Sequence, residues 1–105
     1  MKLSEQTCKP IKDLQPLEKN KVEDYLNQLN DWSLEDDRIK KNFEFNDFQE
    51  TMEFVNKVAE IAETEEHHPD IYISYNRVRL TLSTHDIDAL SINDFIVAAK
   101  IDDIQ

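Results

Sequence analysis

The chain has 105 residues, 39% of them apolar and 33% charged, which predicts one globular domain with a modest core. Its formal net charge of −11 argues against direct binding to nucleic acid or to anionic membranes, whose phosphates would repel it. No apolar run approaches the length of a membrane span, and no leader-like segment is visible, so a soluble cytoplasmic protein is the expectation.

The first half of the chain predicts an arm, a helix and two strands. Residues 1–15 have no clear hydrophobic period, which indicates a loosely attached arm. Apolar residues recur at helical spacing between residues 18 and 30. Between residues 39 and 45 they alternate as in a half-buried strand, although Lys41 falls on the apolar side. The preceding segment, 32–38, is expected to be the hairpin partner of that strand.

The segment from Asp47 to Glu66 predicts the main helix. Asn46 or Asp47 can cap it, and Glu50 completes a capping-box pattern. The apolar residues cover about half the circumference, more than the ~100° stripe that a helix on one small sheet requires. This excess predicts either contact with a second subunit or cover by the helix at 18–30, and the sequence leaves both open.

The last third of the chain changes its apolar period to two. Residues 71–75 and 78–82 alternate as two strands that meet at Asn76-Arg77, and Ser91 begins a last helix. The order helix, two strands, helix, two strands, helix predicts an α+β fold, a four-stranded antiparallel sheet with three helices packed on one face.

All three histidines are expected to lie at one end of this sheet. His67 and His68 precede the first strand of the last hairpin and His85 follows the second. Antiparallel pairing brings these positions to the same end, and Asp94 begins the helix that follows. Because histidine gives and takes protons near neutral pH, three imidazoles and a carboxylate suit general acid–base catalysis.

Two other interpretations of these residues stay open. His67 and His68 could simply cap the preceding helix, and Asp94 could simply complete a capping box that Ser91 starts. The side chains could also bind zinc or iron, but adjacent histidines diverge on a helix and point to opposite faces of a strand, which disfavours a metal site. The single Cys8 is far away in sequence and is expected to have no role.

The stretch 65–95, EEHHPDIYISYNRVRLTLSTHDIDALSINDF, resembles the core of the pterin-4a-carbinolamine dehydratases. The shared pattern is a His-His-Pro, a Tyr-Asn hairpin turn, a Thr-His-Asp and a later Asp. The spacing from His68 through His85 to Asp94 agrees without insertion. The segment from Trp32 to Glu63 also looks like this family, so the resemblance covers about ninety residues.

The resemblance implies a reaction and an assembly. The reaction is dehydration of 4a-hydroxytetrahydropterin to quinonoid dihydropterin, with no metal and no other cofactor. It would support the recycling of tetrahydrobiopterin for an aromatic amino-acid hydroxylase. A single domain over residues 1–105 would form homodimers or homotetramers. The alternative is a non-catalytic scaffold that helps a transcription regulator to dimerise, a role that animal members of the family also have.

By the same resemblance, four residues are expected to be catalytic. His67 and His85 would transfer protons around the 4a-hydroxyl. His68 would hold the pterin and assist deprotonation, and Asp94 would orient an imidazole. The residues expected to bind substrate are His67, His68, Pro69, Thr84, His85, Asp86 and Ile87.

The chain departs from the family pattern at two places. It contains no glycine, and Asp88-Ala89 stand where relatives commonly have glycines. In a turn that needs a positive φ, Asp88 can adopt it at modest cost, whereas Ala89 would be strained. Ile71 stands where some relatives have a tryptophan, which leaves Tyr72 as the candidate for an aromatic wall beside the pterin.

Overall fold

The computed structural model describes residues 2–105 and contains one four-stranded antiparallel sheet in the order β1-β2-β4-β3. Three α-helices pack on one face of the sheet, as predicted. Within the described residues, no helix is both long and apolar enough to span a membrane. In chain order the elements are 3-10 turns at Leu3–Glu5 and Ile11–Asp13, α1 Lys19–Leu26, β1 Ser33–Glu35, β2 Arg38–Glu44, α2 Phe48–Glu65, β3 Asp70–Ser74, β4 Arg77–Leu82, a third 3-10 turn at His85–Ile87, and α3 Ile92–Asp103.

The core lies between the sheet and the helices α2 and α3. Strand β4 buries Val78, Leu80 and Leu82 toward the helices, which is the period-two alternation that the sequence indicates. Helix α3 is buried over most of its circumference because α2 packs against it and the N-terminal arm also contacts it. An all-round apolar helix is expected only where it is enclosed in this way.

The boundaries of two predicted elements differ from the structure. The helix expected over 18–30 ends at Leu26, and Leu29 is buried in the turns that follow. The hairpin between β3 and β4 turns at Tyr75 and Asn76, one residue earlier than predicted. Tyr75 takes the left-handed conformation there, with φ 52°, although it is not a residue that favours it.

Helix α2 begins as the sequence predicts. Asp47 is the N-cap and its Oδ1 accepts a hydrogen bond of 2.8 Å from the Glu50 backbone N–H. The Glu50 carboxylate in turn accepts the Asn46 N–H at 3.1 Å. At the start of the helix, Phe48 stays half exposed and stacks on Tyr75, with ring centroids 6.5 Å apart. Part of the excess apolar surface of α2 therefore remains open to solvent in the single chain.

The N-terminal arm is more closely attached than expected. Leu3 is buried against the core, and the Lys100 ammonium of α3 donates a 2.8 Å hydrogen bond to the Ser4 carbonyl. Just after the arm, the Leu17 N–H donates to the Leu90 carbonyl at 3.0 Å. Hydrogen bonds to and from its backbone hold much of the arm in place, and such bonds require no hydrophobic period in the sequence.

Lys41 lies on the apolar side of β2 because it has a buried partner. Its ammonium is 3.1 Å from Oδ1 of Asp102 near the end of α3, and both side chains are almost fully buried. Trp32 Nε1 donates to the same oxygen at 2.9 Å, and the Asn30 N–H donates to Oδ2 at 3.0 Å. One carboxylate therefore joins α3, β2 and the segment before β1.

We expect Asp102→Ala to lower the free energy of unfolding by about 3 kcal/mol, since it leaves the buried Lys41 ammonium without its partner. Urea denaturation followed by circular dichroism measures this change. The matched control is Glu44→Ala, which removes the exposed ion pair with Arg77 and should leave the urea midpoint nearly unchanged. Equal effects of the two substitutions would contradict this account of the Asp102 cluster.

Candidate active site

A cavity of about 570 Å³ opens at the end of the sheet where the sequence places the three histidines. His67 and His68 reach it from the end of α2, and His85 reaches it from the 3-10 turn after β4. The start of α3 and residues 8–11 of the arm complete the wall. The structure therefore brings all three imidazoles to one hollow.

Helix α2 ends in a way that leaves its histidines available. Glu66 takes the left-handed conformation with φ 55°, and its N–H bonds back to carbonyls of the last helical turn. The His67 N–H closes the helix by donating to the Ala62 carbonyl at 3.1 Å. Because the backbone caps the helix, the imidazoles of His67 and His68 are not used for capping.

Asp94 is the best-connected group of the site. Its side chain has no exposed surface, and its Oδ1 lies 2.6 Å from Nε2 of His67. Its Oδ2 accepts hydrogen bonds from the Thr84 hydroxyl at 2.8 Å and from the Ser91 N–H at 2.9 Å. The capping box that the sequence indicates is present, and the same carboxylate also binds an imidazole. Both interpretations of Asp94 are therefore compatible.

The direction of these hydrogen bonds follows from the number of hydrogens available. Thr84 has one hydroxyl hydrogen and gives it to Asp94, so the 2.7 Å contact between Thr84 and Ser91 has Ser91 as the donor. Asp94 as a carboxylate can only accept, so His67 donates through Nε2. In a neutral His67 ring this leaves Nδ1 as the proton acceptor.

The other two histidines are more exposed. His68 Nε2 lies 2.5 Å from Oε2 of Glu63, but both side chains are mainly in solvent, where such a pair contributes little stability. His85 and Asp86 are exposed and line the cavity. His67, which is largely enclosed and oriented by Asp94, and the exposed His85 therefore provide two different environments for imidazole in one hollow.

The loop after His85 closes without a glycine. Asp88 has φ 50°, while Ala89 is not among the residues with positive φ, which agrees with the prediction for these positions. The Thr84 N–H donates to the Ala89 carbonyl at 2.9 Å, and a weaker bond of 3.4 Å returns from Ala89 to Thr84. This small bridge holds Thr84 where it can reach Asp94.

Four residues considered for substrate contact are not part of the cavity wall. Pro69 is buried, and Ile87 lies at the end of the 3-10 turn, so neither reaches the hollow. Ile71 and Tyr72 lie on strand β3, away from the cavity, and the Arg79 guanidinium covers the Tyr72 ring at 5.5 Å. Tyr72 is therefore not the aromatic wall that the sequence suggested.

Sequence reasoning missed the part of the wall that comes from the arm. Cys8, Lys9, Pro10 and Ile11 all line the cavity, although Cys8 was expected to have no role. The contacts that bring them there join residues about 84 positions apart in the chain. No local pattern of residues signals such contacts.

The part of the chain that the structure describes has no grouping of three or more histidine, cysteine or carboxylate side chains suited to hold a metal ion. The charged oxygen of Asp94 that faces the site is already paired with His67. The chemistry that this arrangement can perform is transfer of protons between imidazoles and a bound molecule.

The thiol of Cys8 is kept protonated by its surroundings. Burial, followed by the negative charge of Glu65, raises the pKa of Cys8 to about 12. Both effects act in the same direction because each disfavours the thiolate. Cys8 therefore enters the cavity wall as a small apolar group and not as a nucleophile.

Comparison with known proteins shows the family of this chain. Residues 15–104 match the family described as pterin 4 alpha carbinolamine dehydratase, and the chain belongs to that family. A protein of Nitrosomonas eutropha that carries the family's name is 45% identical over 102 residues, covering 95% of this chain and 90% of its own length. A namesake from Sulfolobus acidocaldarius is 43% identical over 89 residues, covering 85% and 98%.

Solved structures show the same fold. The crystal structure of a transcriptional coactivator/pterin dehydratase from Brucella melitensis superposes with a TM-score of 0.82 at 32% identity, covering 86% of this chain and 98% of that one. A pterin dehydratase-like protein identified as a RuBisCO assembly factor of the alpha-carboxysome gives a TM-score of 0.58 at 23% identity, covering 70% and 84%. The second likeness concerns the fold alone.

We expect the Cys8 thiol of the folded protein to react with iodoacetamide at pH 8 at least roughly a hundredfold more slowly than in urea, because its raised pKa leaves little thiolate. The rate, followed by mass spectrometry, should rise steeply only as the pH approaches about 12. Glu65→Gln keeps a hydrogen-bond acceptor but removes the charge, so it should lower the pKa and speed the reaction. Equal rates in folded and unfolded protein would contradict this assignment.

Proposed function

We propose that this protein dehydrates 4a-hydroxytetrahydropterin to quinonoid dihydropterin by histidine acid–base catalysis. The observation that carries the proposal is the 2.6 Å pair of His67 with the buried Asp94, in a cavity that His85 also lines. Membership of the pterin carbinolamine dehydratase family supports the substrate class. A pterin carbinolamine is uncharged, so the net charge of −11 does not oppose its entry.

The reaction needs one proton delivered and one removed. His85, exposed at the mouth of the cavity, donates a proton to the 4a-hydroxyl, the C4a–O bond breaks and water leaves. The electron pair of the adjacent ring nitrogen forms a double bond to C4a, and the ring then loses a proton to Nδ1 of His67. Protons exchanged with solvent restore both imidazoles.

Asp94 prepares His67 for this step in two ways. Its hydrogen bond to Nε2 fixes the tautomer in which Nδ1 is free, and its charge stabilises the imidazolium that forms. Thr84 and the Ser91 N–H hold the carboxylate in position. His68, which lies on the same wall, would hold the pterin and assist the final deprotonation.

The supplier of such a substrate is a pterin-dependent monooxygenase, since carbinolamines of this kind remain after oxygen transfer from a pterin. Within that class, we propose an aromatic amino-acid hydroxylase as the functional partner. The link is functional and needs no contact between the two proteins, because the carbinolamine is a small diffusible molecule.

We further propose that two copies of the chain associate through strand β3. This strand pairs with β4 on one side only, so the other edge presents unpaired backbone groups. Its apolar residues Ile71 and Ile73 are each 37% exposed. Tyr75, which directly follows this strand, and Phe48, which stacks on it, are also exposed. A second copy would satisfy the backbone and cover these side chains together.

The alternative function is a scaffold that acts only through protein contacts. The Brucella melitensis relative is described both as a transcriptional coactivator and as a pterin dehydratase. In this chain, the set of hydrogen bonds around His67 and Asp94 supports catalysis, because a scaffold has no use for an oriented imidazole in a hollow. The assay below separates the two functions.

We expect the purified protein to accelerate carbinolamine dehydration in an assay coupled to a pterin-dependent hydroxylase. His67→Ala and His85→Ala should each lower kcat at least about tenfold, since positioned acids and bases typically contribute ~10²–10⁴-fold. Circular dichroism should show both variants folded. His68→Ala, a matched change on the same wall, should raise KM more than it lowers kcat. A double variant of His67 and His85 as active as wild type would refute the mechanism.

Light scattering at micromolar concentration should give a mass above that of one chain. Ile73→Lys should shift the protein toward the monomer, since a charge on the edge strand opposes pairing with a second copy. Leu34→Lys, on the opposite edge of the sheet, is the control and should leave the mass unchanged. A monomeric wild type would remove the proposal of association through β3.

A further inference from the structure

We infer that residues 8–11 of the N-terminal arm form the apolar wall of the pterin pocket, and that Asn93 is the positioning residue that holds this wall in place. The inference rests on the proposed function and extends it to a segment outside the family match, which begins at residue 15. It concerns how the substrate is bound, since the arm carries none of the proton-transfer groups.

The composition of the cavity wall divides sharply between the arm and the rest of the protein. Every lining residue from α2, from the segment after β4 and from α3 is polar or ionisable. The apolar lining consists of Cys8, Pro10 and Ile11, all from the arm. Small-molecule sites combine apolar surface with a few polar groups, and a flat bicyclic pterin presents two weakly polar faces. The arm is therefore the part of the cavity suited to contact a face of the ring.

Ile11 is the residue of the wall whose apolar side chain is largely exposed to solvent. It begins a 3-10 turn that closes where the Asp13 N–H donates to the Pro10 carbonyl at 2.9 Å. Its side chain lines the cavity, yet 57% of the residue is exposed. A bound ring that covered it would remove this surface from water, which favours binding without affecting the stability of the free protein.

Asn93 clamps the arm at Lys9 with two hydrogen bonds. Its Oδ1 accepts the Lys9 N–H and its Nδ2 donates to the Lys9 carbonyl, both at 2.9 Å. The side chain is buried, so the loss of either bond would leave a polar group without a partner. The amide thus pairs with the backbone of the arm much as a neighbouring strand would.

A second clamp lies one residue earlier in the arm. The Cys8 N–H donates to Oε1 of Glu65 at 2.8 Å, and the Glu65 carboxylate is 3.7 Å from the Lys100 ammonium. Glu65 ends α2 just before His67, and Asn93 precedes Asp94 in α3. The wall is therefore fixed to the same two helix ends that position the catalytic pair, which sets its distance from the proton-transfer groups.

The first test removes apolar surface from the wall. Ile11→Ala should weaken the binding of biopterin by about tenfold. Quenching of the biopterin fluorescence measures this affinity. In the dehydratase assay the same substitution should raise KM by a similar factor and leave kcat unchanged, because contact with a ring face acts equally on substrate and transition state. Leu34→Ala, a similar loss at an exposed apolar residue of β1, is the control and should change neither quantity.

The second test releases the clamp. Asn93→Ala should increase hydrogen exchange at the Lys9 amide, measured by NMR, and should raise KM as Ile11→Ala does. A purely structural role for Asn93 would lower the stability of the domain but would leave the ratio of KM to kcat unchanged. The double variant with Ile11→Ala and Asn93→Ala should bind biopterin only slightly more weakly than either single variant, since both changes act through one wall.

The outcomes separate this inference from the function on which it rests. If Ile11→Ala does not change the affinity for biopterin although the wild type is an active dehydratase, the proposed wall is wrong and the proposed function stands. A wild type that neither binds biopterin nor accelerates dehydration overturns the proposed function and this inference with it. A KM that rises in Ile11→Ala and in Asn93→Ala, with kcat unchanged and no effect of the control Leu34→Ala, supports the wall.

Discussion

Asp94 is the constraint on which the rest of the candidate site depends. A carboxylate without exposed surface is costly unless donors surround it, and here the donors come from three different elements. His67 follows α2, Thr84 follows β4, and the Ser91 N–H precedes α3. The need to satisfy one buried charge therefore fixes where three chain segments meet, and that meeting point is also the cavity.

The sequence predicted what depends on local pattern. Alternation in residues 71–75 and 78–82 gave a hairpin, and a hairpin necessarily brings the residues that flank it to one end of the sheet. For this reason the gathering of His68 and His85 was predictable without coordinates. The cap at Asp47 was predictable because it involves residues three positions apart.

What the sequence could not give depends on side chains that meet across the fold. Lys41 looked misplaced on its strand because its partner, Asp102, lies sixty-one residues away. The arm looked unattached because Asn93 holds its backbone, and any residue at position 9 except proline would offer the same N–H and carbonyl. Backbone recognition of this kind leaves no trace in the identity of the residue that is held.

The clamp on the arm has a consequence for how the protein is made. Residues 8 and 9 leave the ribosome before their partners Glu65 and Asn93, which follow fifty-seven and eighty-four residues later. The ends of so long a loop meet only after most of the sheet exists. During synthesis the arm must therefore wait for these later segments, and the hollow gains its final side only after residue 93 has emerged.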